Sequence, residues 1–229
     1  LVSITHPRLD TIRSAEDLIV YCGRVSNPNN QLNFDSAPKL LKYLIKHKHW
    51  SPFEMVDMTV EIKTSRAIAA QILRHRSFSF QEFSQRYSVV TDIEPVQLRK
   101  QAKNNRQSSE DDIVDSKLHD IVDCQINSAL KAYNDLIEAG AAREVARMIL
   151  PLTVQTTLYM KGSIRSWVHY LQLRLAQATQ KEHREVAEAI DNLFKTYFPI
   201  ITEAMELAEK EAKEEAEAKV NPQLQSKLP

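Results

Sequence analysis

The run from Ile72 to Tyr87, ILRHRSFSFQEFSQRY, sets Arg74, His75 and Arg76 side by side and follows them with Glu82, Ser84 and Arg86 among Phe78, Phe80 and Phe83. A solvated face has no use for three phenylalanines, and a core rejects three adjacent cationic or titratable groups. The combination suits a polar ligand. Each guanidinium can donate two parallel hydrogen bonds to a phosphate or an imide edge, while the rings anchor the loop or shield an aromatic group. In an extended segment Glu82, Ser84 and Arg86 point to one side and Phe83, Gln85 and Tyr87 to the other. Ser84 as a nucleophile needs a base, and the motif offers only His75, nine residues earlier; ligand hydrogen bonding is therefore its expected role.

The elements that position this run follow from periodicity. A helix is expected from Ser14 through Leu18, Ile19 and Cys22, and another after Ser36 as its N-cap, with Pro38 early and Leu40, Leu41, Leu44 and Ile45 inside. From Met55 to Lys63 the period changes to two, with Val56, Met58, Val60 and Ile62 alternating with polar residues, which predicts a half-buried strand. SRAIAAQILRHR returns to helical spacing, so the basic cluster stands at a helix end. KQAKNNRQSSEDD has no apolar period and predicts a mobile surface loop near residues 99–112. A long helix with Leu118, Ile121, Val122, Ile126, Leu130, Tyr133 and Ile137 near one stripe should end at Gly140. REVARMILP, a strand near residues 154–161, a helix from Ser163 to Leu175 and a helical region from Glu185 to Lys219, interrupted near Pro199, complete the chain. Its block EKEAKEEAEAK reads as a solvated helix.

Composition narrows the classes. At 229 residues and 43% hydrophobic, the chain can bury a substantial core, and no domain boundary shows; a single domain over residues 1–229 is expected. Thirty basic residues balance thirty acidic ones, so local clusters, not a global field, must hold any anion. A small anion is expected, with no nucleic acid. Three glycines and no GxGxxG or GxxxxGK[ST] disfavour a Gly-rich phosphate loop. Cys22 and Cys124 are isolated, as in reduced cytosolic proteins, and each sits in a helix as a small buried or half-buried residue. His6, His47, His119 and His183 have no ligand spacing and read as structural or solvent-facing; no metal is expected. No apolar run approaches a membrane span, and the N-terminus lacks a signal-peptide layout, so a soluble cytoplasmic protein is expected.

The chain resembles the flavin-dependent thymidylate synthases. Arg74-His75-Arg76 followed after seven residues by Ser84, the upstream His49-Trp50-Ser51-Pro52-Phe53-Glu54, the downstream REVARMILP, and Ser163 to His169 with Leu173-Arg174 make four motifs in the family's order. The resemblance implies an α+β fold, with a small mainly antiparallel sheet flanked by helical layers, and a homotetramer with active sites at subunit interfaces. It implies reductive methylation of dUMP to dTMP, with methylenetetrahydrofolate as carbon donor and FAD, reduced by NADPH, as hydride donor. It places Gln71, Arg74, Glu82, Ser84, Gln85, Arg86, Arg147 and Arg174 around dUMP. Around FAD it places Ser51, Arg74, His75, Arg76, Glu82, Ser163, Arg165 and His169; the family often has Asn where this chain has Ser163 and His169. His49 is implied as a flavin or folate contact. Arg174 is the catalytic candidate, since a cation at the pyrimidine N3–O4 edge stabilises the anion that makes C5 nucleophilic.

Two other classes use the same residues. A noncatalytic nucleotide- or RNA-binding protein would stack bases on the phenylalanines, with colourless protein and a steep salt dependence as its marks. A helical interaction protein would meet an acidic partner and show no thermal shift with nucleotide. For REVARMILP the competing reading is an amphipathic helix end with surface pairs at Arg143 and Glu144.

Overall fold

The computed structural model describes residues 1–89 and 92–220. The elements in order are β1 (Ser3–Ile4), α1 (Ala15–Gly23), α2 (Ala37–Lys46), β2 (Asp57–Ser65), α3 (Arg66–Ile72), β3 (Ser79–Glu82), β4 (Arg99–Gln101), β5 (Ser109–Asp112), α4 (Ser116–Glu138), α5 (Arg143–Ala146), β6 (Gln155–Ser163), α6 (Ile164–Arg174), α7 (Lys181–Tyr197) and α8 (Pro199–Val220). Four strands form one sheet in the order β1-β2-β6-β3, and β4 and β5 form a separate ribbon. The class is α+β, as expected. The residues pack as two compact units: Leu1–Met58 with Gly162–Val168 and the chain from Ala189, and Thr59–Lys161 with His169–Glu188.

In the first unit, Ser14 caps α1 by accepting the Asp17 N–H at 3.0 Å. Ser36, expected as the N-cap of α2, makes no capping bond, because its Oγ is turned to Arg24, from which it accepts at 2.8 Å. Ile19, Val20, Leu41, Phe53, Ile164, Trp167, Phe194, Phe198 and Ile201 are buried. The Trp167 indole donates to the Met58 carbonyl at 3.1 Å, which satisfies its one polar atom. Glu16 is also buried, and its carboxylate accepts the Ile201 N–H at 2.8 Å. That bond ties α1 to the first turn of α8, where N–H groups have no helical partner. The acidic block in α8 is not wholly solvated: Glu211 pairs with Lys42 at 3.1 Å and Lys46 at 2.7 Å on α2.

In the second unit the two longest strands carry the same burial pattern, with Val60, Ile62, Leu158 and Met160 inside. The period-two reading therefore holds, with β2 shifted two residues from its expected limits. β3 pairs antiparallel with β6 from Ser79 opposite Lys161 to Glu82 opposite Leu158. The segment near 99–112, expected as an unpatterned loop, contains the antiparallel β4–β5 ribbon. Exposed strands need no apolar alternation to pair, because backbone bonds suffice at a ribbon; this is why the period was silent. α4 stops at Glu138, two residues before Gly140, whose φ of 86° suits a residue without Cβ. On α4 only Tyr133 is buried, while Val122, Ile126, Leu130 and Ile137 are half-buried and Ile121 is exposed. Cys124 is exposed on this helix, not half-buried as expected, because it lies off the apolar stripe; Cys22 is half-buried on α1.

Candidate active site

In the second unit α3 ends at Ile72, and a turn through Leu73 carries the chain past the basic cluster. Gln71 lies on the helix's last turn, His75 is half-buried, and Arg74 and Arg76 project outward with no ion pair among the described residues. Arg174, the last residue of α6, meets this turn: its Nε donates to His75 Nε2 at 2.9 Å. A cation at a helix C-terminus also favours the helix dipole. Because Nε is spent on His75, both terminal nitrogens of the guanidinium remain for a ligand.

His75 can accept only as the neutral tautomer protonated at Nδ1. Its surroundings enforce this: burial, and then the Arg174 charge, lower its pKa from the usual 6.5 to about 4. His183, expected to be structural or solvent-facing, is fully buried and lies in the same cluster. Its Nδ1 lies 3.2 Å from Gln71 Oε1 and its Nε2 3.1 Å from the Tyr170 hydroxyl. Burial, Arg174 and His75 lower the His183 pKa to about 4 as well. Burial raises that of the Tyr170 hydroxyl, which keeps its proton. Gln71 Nε2 donates to Gln180 Oε1 at 2.7 Å, so both ends of its amide are held. Gln180 lines a cavity of about 440 Å³ together with Arg99, Arg106, Lys181 and Arg184.

Glu82 closes β3. Its Oε1 takes Arg66 at 3.1 Å and the Thr156 hydroxyl at 3.0 Å, while Arg66 also donates to the Phe83 carbonyl at 3.0 Å. The extended alternation expected beyond Glu82 does not occur. Gln85 to Tyr87 form a turn, closed by the Tyr87 N–H on the Ser84 carbonyl at 3.1 Å. A strand loses its two-sided pattern where the chain turns, so Gln85 is buried, Ser84 half-buried and Arg86 exposed. The turn is fastened to α5, for Arg86 pairs with Glu144 at 3.3 Å and Arg143 donates to the Tyr87 carbonyl. The surface pairs considered for REVARMILP thus exist, but across to the Ser84–Arg86 turn. Arg147, just beyond α5, is half-buried and donates to the Glu144 carbonyl at 3.4 Å. His75 Nε2 is held by Arg174, so that nitrogen does not serve Ser84 as a base.

The structure bonds Arg174 to His75, packs the His75 ring on Tyr170 and His183, and bonds His183 to Gln71; it also sets the Ser84–Arg86 turn against the Arg143–Arg147 segment. His169 stands exposed on α6 in the same unit. His49, Ser51, Ser163 and Arg165 belong to the other unit. There His49 and Ser51 are exposed, Ser163 is buried with its Oγ 3.3 Å from Ser166 Oγ, and Arg165 pairs with Glu54 at 2.8 Å. Sequence reasoning missed His183, Tyr170, Arg66 and Thr156. Each lies far along the chain from the residue it supports or outside any motif, so no local signal marked it.

A family model described as thymidylate synthase complementing protein matches residues 9–200. The chain belongs to this family. Family members of similar sequence include a flavin-dependent thymidylate synthase of Synechocystis, 49% identical over 211 residues, spanning 90% of this chain and 97% of that one. A Paramecium bursaria Chlorella virus 1 protein named probable flavin-dependent thymidylate synthase is 48% identical over 217 residues, spanning 90% and 97%. Among solved structures, a UMP/dUMP methylase of Streptomyces cacaoi bound with 5-Br dUMP superposes with a TM-score of 0.76 at 27% identity, covering 85% of this chain and 91% of that one. Family membership accounts for the motif order.

Proposed function

We propose that this protein is a flavin-dependent thymidylate synthase that converts dUMP to dTMP, with Arg174 acting on the pyrimidine. The observation that carries the reading is the Arg174–His75 bond, which fixes the guanidinium by one nitrogen and leaves its planar fork unspent. Two parallel N–H donors match O4 and N3 of the uracil anion, in which N3 has lost its proton and accepts. As negative charge develops on that edge, the fork stabilises it, and C5 becomes nucleophilic toward the methylene carbon of methylenetetrahydrofolate. A neutral His75 is the right support. It withdraws no charge from the site, and it holds the guanidinium plane against rotation. The remaining N–H of Gln71 offers a further contact to the nucleotide, and Ser84, Gln85, Arg86 and Arg147 supply donors for its phosphate and sugar.

FAD supplies the reducing hydride when bound. The donor set fits a diphosphate: Arg74 and Arg76 are exposed cations with no ion pair among the described residues. His75, Glu82 and His169 of the same unit, and Ser51, Ser163 and Arg165 of the other, remain the flavin contacts implied by family membership. Arg165 is already engaged by Glu54, so its role requires sharing that carboxylate or exchanging it for the cofactor. We assign NADPH as the reductant, and His49 as a flavin or folate contact. A homotetramer with active sites at subunit interfaces agrees with apolar side chains left to water: Ile121 is 63%, Val145 59%, Met148 79% and Tyr87 84% exposed.

The test is an anaerobic reaction of the reduced, flavin-loaded protein with dUMP and methylenetetrahydrofolate, with dTMP measured by chromatography. Formation of dTMP in stoichiometric proportion to reduced flavin is expected. Colourless protein that neither takes up FAD nor forms dTMP would overturn the reading. Sedimentation as a monomer at micromolar concentration, with full activity, would overturn the assembly.

A further inference from the structure

We propose that His183 is a positioning residue for dUMP: it fixes the polarity of the Gln71 amide, so that Gln71 presents one defined donor to the nucleotide. The inference rests on the reading of Gln71 and Arg174 as dUMP contacts. It begins from Tyr170, whose hydroxyl reaches His183 Nε2 at 3.1 Å in a fully buried setting. A phenol can donate or accept, so the direction is set at the other end by the Glu182 carboxylate, which only accepts. Carried back through Gln180 and Gln71, it puts the proton of a neutral imidazole on Nδ1 and makes Nε2 the acceptor of the phenol O–H. Nδ1 must therefore donate to the atom 3.2 Å away, which is Gln71 Oε1. With its oxygen turned to His183, Gln71 points its nitrogen at Gln180 Oε1, 2.7 Å distant. Gln180 is itself oriented, because its own nitrogen donates to Glu182 at 2.9 Å and Arg99 holds the other oxygen of that carboxylate at 2.5 Å.

Every donor and acceptor along this series has one consistent assignment. An amide whose ends are free can flip, and then a ligand meets a carbonyl where it needs an N–H. Here a flip would set the Gln71 nitrogen against the His183 N–H and its oxygen against the Gln180 oxygen, so both bonds are lost and the N–H of the buried His183 has no partner there. The same pair also walls the other arm of the site. The His75 ring packs edge-on against Tyr170 at 4.9 Å and His183 at 6.3 Å between centroids, and His75 carries Arg174. His183 thus acts through Gln71 first and through the seat of His75 second.

The experiment uses the purified holoenzyme and compares His183→Leu, His183→Asn, Gln71→Ala and the Gln71→Ala/His183→Leu double variant. It reads dUMP affinity by titration calorimetry, turnover, and flavin content. Loss of one well-placed hydrogen bond is worth about tenfold in affinity. His183→Leu should weaken dUMP binding by about that factor while flavin content stays at the parent level. His183→Asn, whose amide nitrogen can replace the Nδ1 donor, should recover most of it. In the Gln71→Ala background His183→Leu should add less than about twofold, since the residue it orients is gone. Full additivity, or a fall in turnover with unchanged dUMP affinity in His183→Leu, would overturn the inference. Weakened binding in Gln71→Ala with none in His183→Leu would sink the inference alone, whereas unchanged binding in Gln71→Ala would sink the dUMP reading of Gln71 and this inference with it. Should His183→Leu fail to fold, Tyr170→Phe removes a single oxygen and with it the donor to His183 Nε2, which supports the Nδ1–H tautomer. A loss of about twofold to fourfold in dUMP affinity is expected there, and no loss would overturn the inference.

Discussion

Arg174 shows how one residue can be held and still be available. Its Nε is committed to His75 and its terminal nitrogens are not, so Arg174→Ala should remove transition-state stabilisation without removing the cofactor's cations. Loss of one anion-stabilising donor costs about 100-fold to 1,000-fold in turnover. The expected outcome is a yellow, folded protein with turnover reduced by that factor. Loss of FAD with retained dUMP affinity would reverse the assignment. Arg76→Ala is the contrast, expected to show mainly weaker FAD retention. The cysteines provide a second check at this scale. An enzyme that activates uracil by thiolate addition needs an accessible thiol of low pKa. Cys22 is half-buried with its thiol pKa raised by burial, and Cys124 is exposed on α4 outside the bonded cluster. The double variant Cys22→Ala/Cys124→Ala should therefore make dTMP within a few-fold of the parent; abolished turnover in a folded, flavin-loaded double variant would show that a thiol takes part.

At the scale of elements, the dependence runs between pieces far apart in sequence. The first turn of α8 is satisfied by Glu16 from α1, across 185 positions. Burial lifts the Glu16 pKa from the usual 4.5 to about 7, against the Ile201 and Ile200 N–H bonds, which favour the carboxylate. Removing the acceptor leaves a buried N–H without a partner, so Glu16→Ala should cost about 1–3 kcal/mol in denaturant unfolding. Glu16→Gln, which keeps an acceptor oxygen, should recover a large part; equal stability of Glu16→Ala and parent would count against the cap. In the second unit the Ser84–Arg86 turn depends on α5 in the same way, through Arg86–Glu144 and Arg143.

For the whole molecule, the large shifts of His75, His183 and Glu16 make stability depend on pH. His75 and His183 have folded values near 4 against the usual 6.5. Between those values the unfolded chain binds more protons, so their contribution is complete above about 6.5 and is lost as pH falls toward 4. Glu16, raised to about 7, contributes in the opposite sense: its share is complete below 4.5 and is lost as pH rises through 7. Two groups oppose one, so calorimetry should show Tm falling on acidification from about pH 6.5 to pH 4.5. Glu16→Gln deletes the opposing contribution and should make that fall steeper. A Tm that rises over this interval would contradict the placement of both histidines. Among the described residues no helix is long and apolar enough to cross a membrane, and no group of three or more His, Cys, Asp or Glu is placed to hold a metal ion.

What the sequence determined by itself was whatever depends on near neighbours. Alternation at Met58, Val60 and Ile62 is a property of one strand, and the helix start at Ser14 and the stop before Gly140 are properties of one helix each; all three were legible, whereas the cap expected at Ser36 was not made, since its hydroxyl serves Arg24. The dUMP and flavin residues came from motif order, which residue types alone would not have yielded. The tertiary structure decided the pairing of those residues. Nothing in the spacing of His75 and Arg174 says that they bond, and nothing local made His183 more than a structural histidine. Only the fold brings residues 71, 170 and 183 together, and only then does burial force neutral tautomers and assign a direction to each hydrogen bond. The turn at Gln85 was missed for the same reason. Burial of Gln85 and the bonds from Arg143 and Arg86 to distant partners outweigh the extended preference of a short aromatic run, because local propensity is worth tenths of a kcal/mol and tertiary contacts are worth more.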